Sequence, residues 1–406
     1  MRPLTLYRRP DMIAQYRKQF NASFSEEKYR KLILALQKGY TKIPFRVAET
    51  PVFIPASLKE QLVAAGEDII NLIKGPDFIA STQNAIPVQW NVPGENSHPH
   101  FLTFDFGVCK DEQGKLTPKL IEMQGFPSLY GFQAVLGKAY KSTFKLPENL
   151  TPYFGGMDEG EYIDLLKKVI VGPNQPHEVA LMDLDAPNQK TAIDFFMTQA
   201  LLGIKILSLT DIFKEGNELF YREGEQKIRL RRIYNRLIFD EIAGQIGLFK
   251  ESFDPRAELD IEWITHPNWF YRISKYTMPF LKSRFVPETI FLNTLKSTPP
   301  DLENYVLKPL FSFAGMGVII DVKASDIHGI PDPENWILQK KVAYEPVVQA
   351  PDGGVKVEIR LMYLWPEGEA PRLCINLARL SRGKMIGVRY NQDFDWVGGT
   401  IGLMEQ

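Results

Sequence analysis

The sequence predicts a mixed α+β and α/β fold with two or three domains. Residues 178–209 contain a buried strand, EVALMDL, an amphipathic helix ending at Gly203, and a second strand, IKILSL. This order is typical of a βαβ unit in a parallel sheet. Residues 100–123 and 355–380 contain longer strands of alternating polarity, which indicate additional sheet. Because 406 residues exceed one compact core, we expect several domains with ligand-binding clefts between them.

The bulk composition argues against several classes of protein. A formal net charge of -1 with 24% charged residues provides no general field for nucleic acid or acidic membranes. No stretch approaches eighteen apolar residues, and no apolar segment follows the N-terminal arginines, so we expect a cytoplasmic protein without membrane spans. Cys109 and Cys374 lie far apart without CxxC spacing, which favours reduced thiols over a disulfide or metal site.

Two regions are predicted to be mainly helical. In residues 1–80, Ser23 and Glu26 have capping-box spacing ahead of an amphipathic stretch, and SLKEQLVAAGEDIINLIK follows with helical periodicity. Residues 243–300 are also predicted to be mostly helix. The first region is expected to pack on a neighbouring sheet.

A hairpin at residues 305–322, YVLKPLFSFAGMGVIIDV, is the first candidate nucleotide site. Lys308 lies near the end of the first strand, the following loop contains Gly315 and Gly317, and a second strand is predicted from Val318. Glycines allow backbone N–H groups to approach an anion, and the lysine can bind the same phosphates. The loop lacks the lysine and helix of a P-loop. An ordinary hairpin with a surface lysine is the alternative.

A second hairpin carries candidate metal ligands. Asp105 lies on its first strand, and Glu122 and Gln124 have period-2 spacing on its second strand, so these last two share a face. Hard oxygen donors of this kind, completed by substrate phosphates, suit Mg²⁺. The alternative is a pair of half-exposed strand carboxylates without a metal.

Charged residues on later strands complete the candidate set. In VKVEIRLMYLW, Glu358 and Arg360 lie on one face, and the next strand carries Arg379. The five histidines, including His98 and His100, show neither zinc spacing nor a partnered nucleophile, so structural or loop roles are expected.

These segments together resemble ATP-grasp enzymes, in particular the circularly permuted branch that includes glutathionylspermidine synthase. The resemblance covers most of residues 100–400. Residues 305–322 are similar to the phosphate-binding lid, and WILQKKVAYEP is similar to the strand that holds adenine. FDFG and LIEMQGFPSLYG resemble the metal-binding strands, which precede the lid in permuted members. RIYNRLIFDEI resembles a further segment of the permuted relatives.

The resemblance implies an ATP- and Mg²⁺-dependent ligase that joins a small-molecule carboxylate to an amine through an acyl-phosphate. It also implies a role for each matching residue. These roles are ATP binding for Lys308, Ser312, Gly315, Gly317, Gln339 and Lys341, Mg²⁺ binding for Asp105, Glu122 and Gln124, phosphate or acyl-phosphate stabilisation for Arg360 and Arg379, and the substrate cleft for Arg236 and Asp240.

The implied fold has two α+β subdomains that clasp the nucleotide and a preATP-grasp, Rossmann-like α/β domain. We expect a helical N-terminal region at 1–98, the metal-binding strands at 99–150, the α/β domain at 151–262, and the lid and nucleotide-binding subdomains at 263–406. Folding is then expected to bring Glu122 and Lys308 into one cleft between two sheets, within about 15 Å, with Arg379 lining it.

Two departures from the family leave an alternative function open. Gln124 stands where the family has asparagine, and Thr103 stands where glutathionylspermidine synthase has an arginine near the transferred phosphate. A glutamine still offers a carbonyl oxygen, one methylene further from the backbone. The alternative is a non-catalytic nucleotide- or peptide-binding module that keeps the fold without turnover.

Overall fold

The protein has a mixed α+β fold with five sheets among its described residues. The computed structural model describes residues 12–38, 43–242, 246–250, 252–312, 315–386, 391 and 393–406. Among these residues, no helix combines the length and apolar character needed to cross a membrane.

The α-helices are mostly short and connect or cover the sheets. They are α1 Ala14–Ser23, α2 Glu26–Gln37, α3 Ala56–Ile73, α4 Phe78–Ser81, α5 Tyr130–Phe144, α6 Glu159–Ile170, α7 Ala192–Leu202, α8 Phe239–Ile242, α9 Asn268–Arg272 and α10 Ala324–His328.

The strands range from short bridging segments to the two long strands β16 and β17. They are β1 Val52–Ile54, β2 Phe101–Lys110, β3 Leu116–Gln124, β4 Leu150–Thr151, β5 Val179–Asp183, β6 Lys205–Ser208, β7 Phe213–Glu215, β8 Glu218–Glu223, β9 Gln226–Leu230, β10 Arg232–Asn235, β11 Glu262–Ile264, β12 Thr289–Phe291, β13 Tyr305–Pro309, β14 Trp336–Lys340, β15 Val348–Ala350, β16 Gly353–Leu364, β17 Arg372–Ser381, β18 Gly398–Thr400 and β19 Gly402–Glu405.

A six-stranded antiparallel sheet forms the centre of the fold. Its order is β18-β17-β16-β2-β3, with β15 paired to β16, so strands from distant parts of the sequence are neighbours. The β2–β3 hairpin was predicted, and its turn is closed by Asp111, whose carboxylate accepts hydrogen bonds from the backbone N–H groups of Gln113 and Lys115. Gly114 in this turn has φ 75°, a conformation that glycine adopts readily.

A four-stranded sheet in the order β11-β10-β5-β6 is parallel throughout. The predicted βαβ unit is confirmed: α7 connects β5 to β6 and ends at Gly203, whose left-handed φ of 75° terminates the helix. Capping also sets the start of α6, where Asp158 and Glu161 form a reciprocal capping box. The domain boundaries at residues 98, 150 and 262 stay predictions.

A three-stranded antiparallel sheet in the order β12-β14-β13 carries the predicted lid strand. The predicted second lid strand is wrong, because β13 pairs with β14. After the loop, the described residues form an isolated bridge between Leu307 and Ile319 in place of a strand.

The predictions of helix in residues 1–80 and 243–300 need correction. Ser25, and not Ser23, caps α2, because its side chain accepts from the Lys28 backbone N–H. Residues 52–54 form a strand within the region predicted to be helical. The described part of 243–300 contains short helical turns and the strands β11 and β12, since prolines such as Pro267 and Pro287 break the apolar pattern.

Candidate functional site

One face of the central sheet gathers side chains from four strands. Asp105 on β2 lies directly opposite Glu122 on β3 and Arg360 on β16. Glu358, two residues before Arg360, lies opposite Arg379 on β17. Directly paired residues and residues two apart project from the same face of a sheet. The predicted metal and arginine residues therefore meet on one surface.

Asp105, Glu358, Arg360 and Arg379 form an ion cluster, which we call the Asp105 cluster. Arg360 donates from Nε and Nη2 to the two Asp105 oxygens at 2.5 and 2.6 Å. Arg379 Nη2 donates to Asp105 Oδ2 at 2.5 Å and also to Glu358 Oε1. Tyr344 donates its hydroxyl to Glu358 Oε2 at 3.0 Å. Each carboxylate is thus held by a guanidinium, and the arginines are fixed in orientation.

The Asp105 cluster is buried except for one edge. Burial alone would raise the pKa of Asp105, but Arg360 and Arg379 outweigh it and hold that pKa below its ordinary value. Burial raises the pKa of Glu358 despite Arg379, and the Asp105 charge adds to this rise. The Arg379 side chain keeps 33% of its surface exposed, whereas Arg360 keeps 8%. Arg379 therefore has the more exposed side chain of the two arginines, although its Nε atom is buried.

Lys308 on β13 faces this surface from the three-stranded sheet. Its Nζ donates to the carbonyl oxygen of Ile121 at 3.1 Å, and Ile121 directly precedes Glu122. Burial lowers the Lys308 pKa to about 8, although the Glu122 charge acts in the opposite direction. The prediction that Glu122 and Lys308 lie close together is confirmed, since strands nearly half the chain apart meet here.

Glu122 and Gln124 are half-buried at the open side of the sheet. The Gln124 amide donates to Glu122 Oε1 at 3.3 Å, so their polar groups already converge. As a donor set, these two side chains fit Mg²⁺ through oxygen atoms. Asp105 fits less directly, because both of its oxygens accept hydrogen bonds from arginines and it could bind a metal only by giving one of them up.

The lid loop requires glycine at both predicted positions. Gly315 and Gly317 have φ of 74° and 71°. A Cβ at Gly315 would lie 2.9 Å from Met385 Cε, and one at Gly317 would lie 3.0 Å from Pro309 Cγ. Residues 313 and 314, between Ser312 and Gly315, lie outside the described residues. The glycines thus keep the loop close to its neighbours.

A second lysine, Lys275, contacts Ser312 at the start of the predicted lid loop. Its Nζ donates to the Ser312 carbonyl oxygen at 2.9 Å and reaches Ser312 Oγ at 3.3 Å. Burial lowers its pKa, and the Glu122 charge raises it. Two buried lysines, Lys308 and Lys275, therefore lie close enough to Glu122 for its charge to raise their pKa values against the effect of burial.

The two remaining predicted ATP residues lie at the end of β14. The Gln339 side chain is buried inside the three-stranded sheet region, with Nε2 4.0 Å from Met278 Sδ. Lys341 lies just beyond the strand, and its Nζ is 3.6 Å from Asp321 Oδ1. Lys341 is thus an accessible cation, whereas Gln339 is packed.

Arg236 occupies a separate buried position next to the α/β sheet. Its guanidinium carbon lies 4.8 Å from the Phe126 ring centre and 5.3 Å from the Phe195 ring centre. Nη2 donates to Thr191 Oγ1 at 3.3 Å, while Nε and Nη1 have no hydrogen-bond partner among the described residues. Phe126 follows Gln124 by two residues, which relates Arg236 to the end of β3. The side chain of Asp240 lies outside the described residues.

Three residues of this region were not among the predicted site residues. Glu358 was visible as a strand carboxylate beside Arg360, and the alternating pattern of β16 was the signal that could have selected it. Lys275 and Tyr344 follow no motif in the sequence. Their roles depend on the tertiary packing that brings Lys275 under Ser312 and Tyr344 over Gly107.

Comparison with known proteins shows that the fold is similar to that of one solved glutathione synthetase-like structure. No known family profile and no curated protein sequence matches the chain. Among solved structures, the chain is similar to the apo form of a glutathione synthetase-like effector, GSS30, from Globodera pallida. The TM-score is 0.58 over 95% of this chain and 98% of that chain, with 10% sequence identity. At this identity the similarity concerns the fold alone.

Proposed function

We propose that this protein is an ATP-grasp ligase that uses ATP and Mg²⁺ to join a carboxylate to an amine through an acyl-phosphate. The observation that supports this most is the contact of Lys308 with the backbone beside Glu122. In this proposal the candidate phosphate-binding lysine and the candidate metal-binding carboxylate would line one nucleotide cleft between the two sheets. The similarity to a glutathione synthetase-like structure agrees with this fold.

The polar groups of the cleft suit a polyphosphate. Lys308 and the backbone N–H groups at Gly315 and Gly317 would bind phosphate oxygens, since the glycines permit close approach. Ser312, held by Lys275, would position this loop, and Gln339 and Lys341 would contact the nucleotide at the end of β14. Bound phosphate would favour the charged form of Lys308, whose pKa burial lowers to about 8.

The metal would be held by Glu122 and Gln124, with Asp105 as a third oxygen donor if it released an arginine. Bound Mg²⁺ would neutralise charge on the transferred phosphoryl group. Arg379, at the exposed edge of the Asp105 cluster, would stabilise phosphate or acyl-phosphate oxygens, and Arg360 would hold the cluster in place.

Arg236 would bind the carboxylate of a substrate. Nε and Nη1 of Arg236 lack hydrogen-bond partners among the described residues, and a bound carboxylate would supply acceptors for them in addition to the electrostatic interaction of Arg236 with the buried Asp194. Its two flanking aromatic rings would exclude water from that carboxylate. Asp240 stays a proposed member of this cleft from its sequence alone.

One observation favours a non-catalytic binding module as the second candidate. Both oxygens of Asp105 are already engaged by Arg360 and Arg379, so the metal-binding strands contain an internal ion cluster. Gln124 and Thr103 also depart from the family pattern. A module of this kind would bind nucleotide or peptide without turnover.

Release of ADP separates the two candidates. The protein is incubated with MgATP and with pools of carboxylates and amines, and ADP is measured against a Lys308→Ala control. Stimulated ADP release that the control lacks supports the ligase. Saturable ATP binding without ADP release from any pool would instead support the binding module.

A further inference from the structure

Three ionisable side chains from distant segments meet between the central sheet and the parallel sheet. His100 directly precedes β2, Glu262 begins β11, and Glu367 lies in the turn between β16 and β17. One donor atom from each lies within 4.8 Å of the other two. The cluster lies outside the proposed nucleotide cleft, and the proposed function assigns none of its members.

We propose that His100, Glu262 and Glu367 bind a Zn²⁺ ion, with His98 as the fourth ligand. Imidazole nitrogen and carboxylate oxygen are both established zinc donors, and four ligands complete a tetrahedral site. A metal bound here would join the central sheet to the parallel sheet.

The distance between His100 and Glu367 agrees with a shared ion. A tetrahedral zinc with ordinary bond lengths holds its ligand atoms about 3.3 Å apart. His100 Nε2 lies 3.2 Å from Glu367 Oε1. His98 Nε2 lies 3.4 Å from the other oxygen, Oε2, and outside the group of donor atoms that lie within 4.8 Å of one another, so His98 would have to move to bind the same ion. His100 Nε2 is 4.0 Å from Glu262 Oε1, so Glu262 would move inward by a small distance.

The two imidazoles present the nitrogen that a metal requires. His98 Nδ1 lies 3.2 Å from the Pro99 carbonyl oxygen, which can only accept, so the tautomer with its proton on Nδ1 would donate there and leave Nε2 for a metal. The His98 ring is stacked on Trp365 at 4.5 Å, which fixes its direction. A backbone interaction of this kind is the usual support for a metal-binding histidine.

His100 is buried and held from two sides. Only 1% of its side chain is exposed. Its backbone N–H donates to Thr265 Oγ1, and its carbonyl oxygen accepts from the Trp365 N–H. Nδ1 has no hydrogen-bond partner among the described residues. The buried His100 ring thus has Nε2 near the carboxylates of Glu262 and Glu367 and no hydrogen-bond partner for Nδ1 among the described residues.

The two carboxylates of the proposed site, those of Glu262 and Glu367, are partly exposed to solvent. Arg232 Nη2 donates to Glu262 Oε1 at 2.6 Å, and its Nη1 donates to the Ile170 carbonyl oxygen, so Glu262 would have to share this oxygen with Arg232 or turn its other oxygen to the ion. The side chains of Glu262 and Glu367 are 44% and 51% exposed. An ion can therefore reach the buried histidine from solvent. Without zinc, Glu262 pairs with Arg232, and Glu367 lies beside the two histidines.

A Zn²⁺ titration tests the site. Tag-free full-length protein competes with a chromophoric chelator for Zn²⁺, and wild type is compared with Glu367→Gln and His98→Ala. Both variants change partly exposed or loop residues, so folding is checked by an unchanged circular dichroism spectrum. We expect wild type to bind a single tight Zn²⁺ and each variant to lose about tenfold or more in affinity.

Two matched controls locate the bound ion. His328→Ala removes an exposed histidine in α10, and Glu122→Gln changes the candidate magnesium site, so both variants should keep wild-type zinc affinity. Co²⁺ in place of Zn²⁺ should give the intense visible absorption of a four-coordinate site. Absence of tight zinc binding in wild type, or equal affinity in Glu367→Gln, would overturn the proposal.

Discussion

Asp105 and Arg360 lie opposite each other on neighbouring strands, and the Arg360 guanidinium donates to both oxygens of the Asp105 carboxylate. This bidentate pair is buried at the centre of the main sheet, and Arg379 joins it from the next strand. The site therefore depends on register: a one-residue shift of either strand would move these side chains to opposite faces.

Removing the Asp105 charge should strongly destabilise the protein. Asp105→Asn would leave Arg360 buried without its counter-ion, and loss of one partner from a buried pair costs about 3–5 kcal/mol. Chemical denaturation, followed by circular dichroism, measures this change. Lys384→Ala, which removes an exposed ion pair with Asp321, is the control and should leave the transition unchanged. Equal transitions for both variants would contradict a structural role for Asp105.

Lys308 should make stability depend on pH in the alkaline range. Burial lowers its pKa from 10.5 to about 8, so the folded state resists its protonation more than the unfolded state does. Its destabilising effect is complete below pH 8 and disappears as pH rises to about 10.5. Lys308→Met should therefore raise the free energy of unfolding at pH 7 by up to about 3 kcal/mol.

The comparison needs the same variant at two pH values. Wild type and Lys308→Met should converge in stability near pH 10.5, after correction for the pH dependence that both share. If the difference in free energy of unfolding between the two proteins stays constant from pH 7 to pH 10.5, the pKa of Lys308 is not lowered in the folded protein.

Glu122 should be required for magnesium-dependent chemistry and not for folding. Glu122→Gln keeps the size of a half-buried side chain while removing its charge, so it should spare the fold. ADP formation as a function of Mg²⁺ concentration should fall by about an order of magnitude or more. Glu112→Gln, at the exposed β2–β3 turn, is the matched control. The same magnesium dependence in wild type and Glu122→Gln would remove Glu122 from the metal site.

The parts of the fold that were predictable depend on local patterns. Alternating polarity with a turn at Gly114 was sufficient for the β2–β3 hairpin, and periodicity with Gly203 as a terminator was sufficient for α7. The region 243–300 was wrongly predicted because its apolar residues pack in short turns between prolines, where tertiary contacts override helical spacing.

The sequence predicted which residues form the candidate site better than it predicted which of them contact one another. A lysine near glycines and two strand carboxylates were visible in the sequence, but the engagement of Asp105 by Arg360 depends on the register between strands over 250 residues apart. The histidine cluster escaped detection for the same reason, since His100, Glu262 and Glu367 have no local spacing.

Binding of MgATP to the cleft at Lys308 is the central claim, and thermal unfolding with and without MgATP tests it most directly. A ligand that binds only the folded state stabilises it by about 2.7 kcal/mol at a hundred times its dissociation constant. We expect MgATP to raise the Tm of wild type and to leave the Tm of Lys308→Met unchanged, although that variant is the more stable protein without ligand at pH 7. An equal MgATP shift in both proteins would contradict the account.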